Sequence, residues 1–274
     1  MDIPPLDDGA LTAGYDATAG DLGRLRGLAV WLAGVQGAIP PEPLRRRRFV
    51  VFGDAAPAAV ETLAGPADVT VTVVPYDAPG PIATGPATTR ERARAAYAAG
   101  IALAGREADS GTGVILTRGA DDPVTAAAIA CALTGAEPVE AVRNAGDAGW
   151  ARDVATVRDA LRRSGFAGLD ADGLMAELGG EALAAQAGLI AGAARRRTPV
   201  LIDGATAAAA ALLANAGAPG CTAYVAAAQR ATDPAYGAML DALELTPLLD
   251  LGIAADGVAA VLALGLLDAA IALV

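Results

Sequence analysis

The sequence has no histidine and no lysine, only two cysteines, and 4% aromatic residues. Without histidine, no Ser-His-Asp or Cys-His arrangement can be built, and the commonest general base and metal ligand is missing. Two isolated cysteines cannot form a zinc cluster. Cys131 and Cys221 lie in apolar stretches and read as small buried hydrophobes, which suits a reducing cytoplasm. There is no GxxxxGK[ST] loop and no intact GxGxxG after a strand. Gly111-Thr112-Gly113 precedes its strand and reads as a plain turn. No cofactor or metal site is therefore expected, since the pairs Asp7-Asp8 and Asp121-Asp122 read as capping or surface acids. All the basic residues are arginine, and 20 of them face 31 acids, for a net charge of −11. Such a chain would be repelled by nucleic acid and by an anionic membrane. No basic segment followed by an apolar core opens the chain, so no signal peptide is expected and the protein is placed in the cytoplasm.

What is present is apolar and small-residued. Hydrophobic residues are 54% of the 274 positions, much of that alanine. This is enough for one large core, and residues 1–274 are read as a single α/β domain. Gly257–Val274 is the most membrane-like stretch, but it carries Asp268 and reads as a buried helix. Residues 1–20 read as a loose acidic arm with room for a short helix. Helices are expected over Asp21–Gly37, Ala58–Leu63, Thr89–Arg106, Glu181–Arg195, Ala205–Ala216 and Pro234–Leu243. A further helical stretch, Glu137–Leu161, is interrupted near Asn144–Gly149, and Gly179-Gly180 marks a break before Glu181. Strands are expected over Phe49–Phe52, Val69–Val74 (buried), Val114–Arg118, Pro199–Asp203 and Cys221–Ala227. The run Arg45–Arg48 reads as a solvated strand edge. Alternation of strands with long helices predicts a parallel, Rossmann-like sheet covered by helices. A smaller helical lobe is expected from about 1–40 and 250–274.

The chemistry is expected at the carboxyl ends of the strands. In VILTRGADDPVT (114–125) a strand meets a turn and then a helix, with Asp122 as N-cap and Pro123 at the first helical position. Anions usually dock at such a turn, yet this one carries two carboxylates. Asp203 ends the strand PVLID. Asp256, in the turn AADG, suits either a helix N-cap or a general base whose pKa is raised by partial burial.

Five segments in order resemble the nicotinate-nucleotide:dimethylbenzimidazole phosphoribosyltransferases of cobalamin nucleotide-loop assembly. They are GDLGRLRGLAVWLAGVQG (20–37), TAAAIACALTG (125–135), ELGGEALAAQAGLIAGAA (177–194), TPVLIDGATAAAAALLANAGAPG (198–220) and TPLLDLGIAADGVAAVLALGLLDAA (246–270). The resemblance implies an α/β domain with a helical lobe, dimeric, that moves phosphoribosyl from nicotinate mononucleotide to an aromatic base of the benzimidazole type. It puts the family's proton-accepting glutamate on Asp256, one methylene shorter. It also implies a nucleotide phosphate held at Gly119 and Thr125, with Asp203 and Gly204 alongside, and Arg118 is read as a cation that would offset the loop's acids.

The sequence departs from the family where it reads GADDPVTAAA (119–128), NAGDAGWARD (144–153, with Asp153 in place of a lysine) and GDAAPAA (53–59). Asp121, Asp122 and Pro123 remove donors from the phosphate loop and add repulsion. Two readings follow. One is an active transferase. The other is a catalytically degenerate paralogue, either a ligand-binding protein or a non-catalytic subunit. The expected assembly is a homodimer, or a heterodimer with a full-length family member.

Overall fold

Five short β-branched and aliphatic runs lie side by side in the computed structural model. They are β1 (Arg47–Phe52), β2 (Val69–Val74), β3 (Ile115–Arg118), β4 (Val200–Ile202) and β5 (Val225–Ala227). All neighbouring pairs are parallel, in the order β2-β1-β3-β4-β5. Val50 stands opposite Thr72 on one side and Thr117 on the other, and Leu201 links Leu116 to Ala226. The structure describes residues 1–17, 22–119, 122–143, 146–230, 233–254 and 256–274. The expected helix start at Asp21, the acid Asp121 and the interruption at Asn144 lie outside them.

Parallel strands need crossovers, and helices supply them. In chain order they are α1 (Asp8–Ala17), α2 (Arg24–Gln36), α3 (Ala58–Ala64), α4 (Arg90–Asp109), α5 (Pro123–Thr134) and α6 (Pro138–Ala141). Then come α7 (Asp147–Ser164), α8 (Ala171–Leu174), α9 (Gly180–Arg195), α10 (Ala205–Gly217), α11 (Pro234–Ala242) and α12 (Val258–Ala272). Their limits follow local chemistry. The Thr89 hydroxyl accepts the Arg92 amide at 3.2 Å to start α4, and Gly37 turns left-handed to end α2.

The pleat sends alternate residues to opposite faces. Phe49, Val51, Leu116 and Leu201 pack with α2, α3 and α12 on one face. Val50, Phe52, Ile115 and Ile202 join the larger core on the other, with α4, α5, α9, α10 and α11. Small residues let that second layer close up. A Cβ on Gly100 would fall 1.9 Å from the Ala185 carbonyl oxygen, and one on Gly188 would fall 2.0 Å from that of Tyr97. Helices α4 and α9 therefore touch backbone to backbone. The two terminal segments meet, since α1 packs on α2 and α2 on α12.

Several expectations need correction. Val69–Val74 is not a buried strand: the strand order puts it at the edge, and only Val69 is fully buried. Cys221–Tyr224 forms a 3-10 turn, so the strand begins at Val225. The short helix that the acidic arm allowed for is α1, residues 8–17. The break at Gly179-Gly180 is one wider, π-type turn, Met175–Gly179, leading into α9. The arginine run is not merely a solvated edge, because Arg47 pairs with Asp268 of α12 at 2.6 Å and Arg48 with Glu107 of α4 at 2.9 Å. Both cysteines are free and buried. Among the described residues no helix is long and apolar enough to cross a membrane.

Candidate active site at the carboxyl ends of β3 and β4

The strand order reverses between β1 and β3, and a crevice opens at such a point beyond the carboxyl ends of the strands. Arg118 and Gly119 arrive there from β3. Asp203 and Gly204 arrive from β4, one strand over. The turn before α12 brings Asp256 to the same place, since a Cβ on Gly204 would lie 2.2 Å from the Asp256 carboxyl carbon. Gly204 has φ of 102°, a conformation that side chains avoid, so two independent reasons require glycine there.

Arg118 is 8% exposed, and its Nε has no hydrogen-bond partner among the described residues. Pleat alternation puts it on the same face as Leu116 and Asp203. Gly119 sits over a buried polar floor. Its amide donates to the Thr206 hydroxyl at 3.3 Å, and a Cβ there would meet the Gln186 Oε1 at 2.8 Å. Gln186 is fully buried and donates through Nε2 to Thr117 at 3.1 Å, and its Oε1 has no partner among the described residues.

Asp122 does cap α5. Its carboxylate accepts the Thr125 amide at 3.0 Å and also the Thr125 hydroxyl. Both donors that Thr125 would offer a phosphate are therefore turned toward a carboxylate.

Asp203 plays a different part from the nucleotide contact expected of it. Its side chain is fully enclosed. Oδ2 accepts the amides of Gly257 (2.9 Å), Ala259 (2.9 Å) and Ala260 (3.3 Å), and Oδ1 accepts Gln229 Nε2 (3.2 Å). A carboxylate on β4 thus caps the last helix from more than fifty residues away, where the helix dipole favours negative charge. Burial pushes its pKa above the usual carboxylate value, and Gln229 with the three amides opposes that rise. Asp203 takes the amides of Gly257, Ala259 and Ala260, and Asp256 lies half-buried against Gly204.

Tyr236 was not anticipated from the sequence. It enters from α11, which Asp233 caps by accepting the amides of Ala235 and Tyr236 at 3.0 and 3.3 Å. The tyrosine is fully buried, and its hydroxyl has no partner among the described residues. Burial, then the charges of Asp203 and Asp256, push its pKa far above the ordinary phenol value, while the facing Gly204 amide opposes them. The only local cue was an aromatic residue three positions after an Asp-Pro helix start in a chain with few aromatics.

Three unsatisfied buried side-chain atoms therefore gather at this end of the sheet: Arg118 Nε, Gln186 Oε1 and Tyr236 Oη. Buried polar atoms without partners are uncommon, and a group of them suits the binding of a polar ligand. No cluster of three or more metal-ligating side chains occurs among the described residues.

Comparison with known proteins gives concordant matches. A family model described as phosphoribosyltransferase matches residues 58–274. The nicotinate-nucleotide–dimethylbenzimidazole phosphoribosyltransferase of Mycobacterium avium (strain 104) is 37% identical, over 98% of this chain and 93% of its own length. That of Mycolicibacterium paratuberculosis (strain ATCC BAA-968 / K-10) is 38% identical, over 92% and 86%. The crystal structure of the corresponding Thermus thermophilus protein superposes with a TM-score of 0.88 at 30% identity, covering 98% of this chain and 96% of that one.

Proposed function

The chain belongs to the nicotinate-nucleotide–dimethylbenzimidazole phosphoribosyltransferase family, and on that footing we propose that it transfers phosphoribosyl from nicotinate mononucleotide to a benzimidazole-type base in cobalamin biosynthesis. In this reading the incoming nitrogen attacks ribose C1′. The bond from C1′ to the nicotinate nitrogen breaks, and nicotinate leaves with the electron pair. Asp256 accepts the N–H proton of the base. Arg118, Gly119 and the amides at the start of α10 hold the phosphate, with Gly204 as the floor. A phosphate would have to take the Thr125 hydroxyl from Asp122. Asp203 contributes by holding α12, and with it the turn that carries Asp256. The observation that carries the reading is the seating of the Asp256 carboxylate on Gly204, at the carboxyl end of β4.

The test begins with calorimetric titration of nicotinate mononucleotide at low salt. Micromolar binding is expected, weakened about tenfold or more in Arg118→Ala, the worth of a hydrogen bond to a charged group. Turnover with dimethylbenzimidazole should then fall about 10²- to 10⁴-fold in Asp256→Asn, as for loss of a general base. No binding up to millimolar nucleotide would sink the transferase reading.

One observation favours a second reading. The Asp122 carboxylate occupies the start of α5 and takes both Thr125 donors. A degenerate paralogue, serving as a ligand-binding or non-catalytic subunit, would bind nucleotide or a family partner without turnover. We place the chain in a homodimer or in a heterodimer with a full-length family member, and sedimentation velocity with and without such a partner separates the two.

A further inference from the structure

A buried phenol O–H without an acceptor forfeits its desolvation energy, so native structures rarely leave one that way. Tyr236 is such a group, and its surroundings leave few acceptors. Helices α5 and α10, which pack on α11, contain no charged residue, and Glu140 of α6 is exposed. The Gly204 amide faces the phenol oxygen, but an amide N–H cannot accept the phenol proton. Among the described residues two carboxylates act on the phenol, those of Asp203 and Asp256. Asp203 already accepts four hydrogen bonds and is locked under α12. Asp256 lies half-buried on Gly204, whose missing side chain leaves that space to its carboxylate.

We propose that Tyr236 is the positioning residue for the reaction's base: its O–H donates to the Asp256 carboxylate and holds that side chain over Gly204. Closing that bond requires the Asp256 side chain to turn toward the phenol. The inference rests on Asp256 being the base of the proposed transfer. A hydrogen bond to the ionised form favours that form, so the pair keeps Asp256 ready to accept the proton of the incoming nitrogen. Tyr236 itself exchanges no proton. Its donor hydrogen stays in place because burial and both carboxylates disfavour the phenolate.

The test is Tyr236→Phe, which removes one oxygen and keeps the ring. The ¹³C carboxyl signal of Asp256, identified by its loss in Asp256→Asn, should titrate about one pH unit higher than in the wild type, the size of one lost donor. Turnover should fall about tenfold with KM for nicotinate mononucleotide unchanged, and the acidic limb of the kcat–pH profile should move up with the carboxyl. Adding Tyr236→Phe to Asp256→Asn should cost nothing more. Labelling with 3-fluorotyrosine, a more acidic phenol of nearly the same shape, should move the carboxyl downward, and it serves if the phenylalanine variant does not fold. An Asp256 titration that ignores both changes overturns the proposal, as do losses that multiply independently in the double variant, and either outcome leaves water as the acceptor. If the wild type shows no turnover, the transferase reading fails separately, and the carboxyl titration still decides the role of Tyr236.

Discussion

Replacing Asp203 with alanine takes an oxygen from three amides and leaves them facing a cavity. Gly257, Ala259 and Ala260 donate to that oxygen from inside the core, where the side chain is fully buried. Loss of an ordinary N-cap costs about 1 kcal/mol, and a stranded buried donor about 1–3 kcal/mol. The Ala260 contact is long at 3.3 Å, and Gln229 keeps Ile253 as a partner, so neither adds the full amount. Against this, alanine also relieves the cost of burying a charge. About 3 kcal/mol of net destabilisation is expected. The substitution Asp203→Asn keeps one acceptor and removes the charge, so its cost should be nearer to about 1 kcal/mol.

Urea unfolding at neutral pH measures both variants. The pH dependence adds a sign. The folded pKa of Asp203 lies above its unfolded value of 3.8, so the folded state binds the proton more tightly. Wild-type stability should therefore rise, relative to Asp203→Asn, as pH falls through the raised folded value toward 3.8. An alanine variant within about 0.5 kcal/mol of wild type, the scatter of ordinary surface changes, would refute the cap as the support of α12. A difference between wild type and Asp203→Asn that does not change with pH would refute the raised folded pKa.

Gly204→Ala must strain a backbone at φ of 102° and displace Asp256, so a stability loss of about 1–3 kcal/mol should accompany near-abolished turnover in the same preparation. Asp122→Ala should free both Thr125 donors and remove a carboxylate. Nucleotide binding by calorimetry should tighten several-fold, at a cost of about 1 kcal/mol for the lost cap. Burial pushes the thiol of Cys131 up to about 11 and that of Cys221 up to about 12, so neither should react with Ellman's reagent at neutral pH until the chain is unfolded in guanidinium chloride. Arg47→Ala should cost up to about 1 kcal/mol by thermal unfolding, because its partner Asp268 is partly exposed.

The sequence made legible what neighbouring residues decide among themselves. Asp122, Pro123 and Gly135 begin and end α5 within a dozen residues, and all three do what their types predict. The parallel α/β architecture followed from the alternation of elements, and the superposed Thermus thermophilus structure shares it. Position across the sheet was not legible. The run VTVTVV is as apolar as an interior strand, and only the strand order reveals it as an edge. Likewise, Asp256 stands immediately before an apolar helix and suits either its cap or a base, and nothing nearby shows that Asp203 takes amides at the start of that helix. A helix cap drawn from another strand leaves no pattern at short spacing. Tyr236 was hidden for the same reason, because its role depends on α11 crossing to the end of β4.

The distant cap also bears on how the protein is made. Helix α12 is almost wholly apolar, and the amides of Gly257, Ala259 and Ala260 gain the Asp203 carboxylate only once β4 has joined the sheet. Before that moment the segment is a hydrophobic stretch able to stick to its own kind. Recovery from denaturant should therefore fall as protein concentration rises. The vulnerable interval is set by the slow pairing of a parallel sheet, and the helix itself would form quickly.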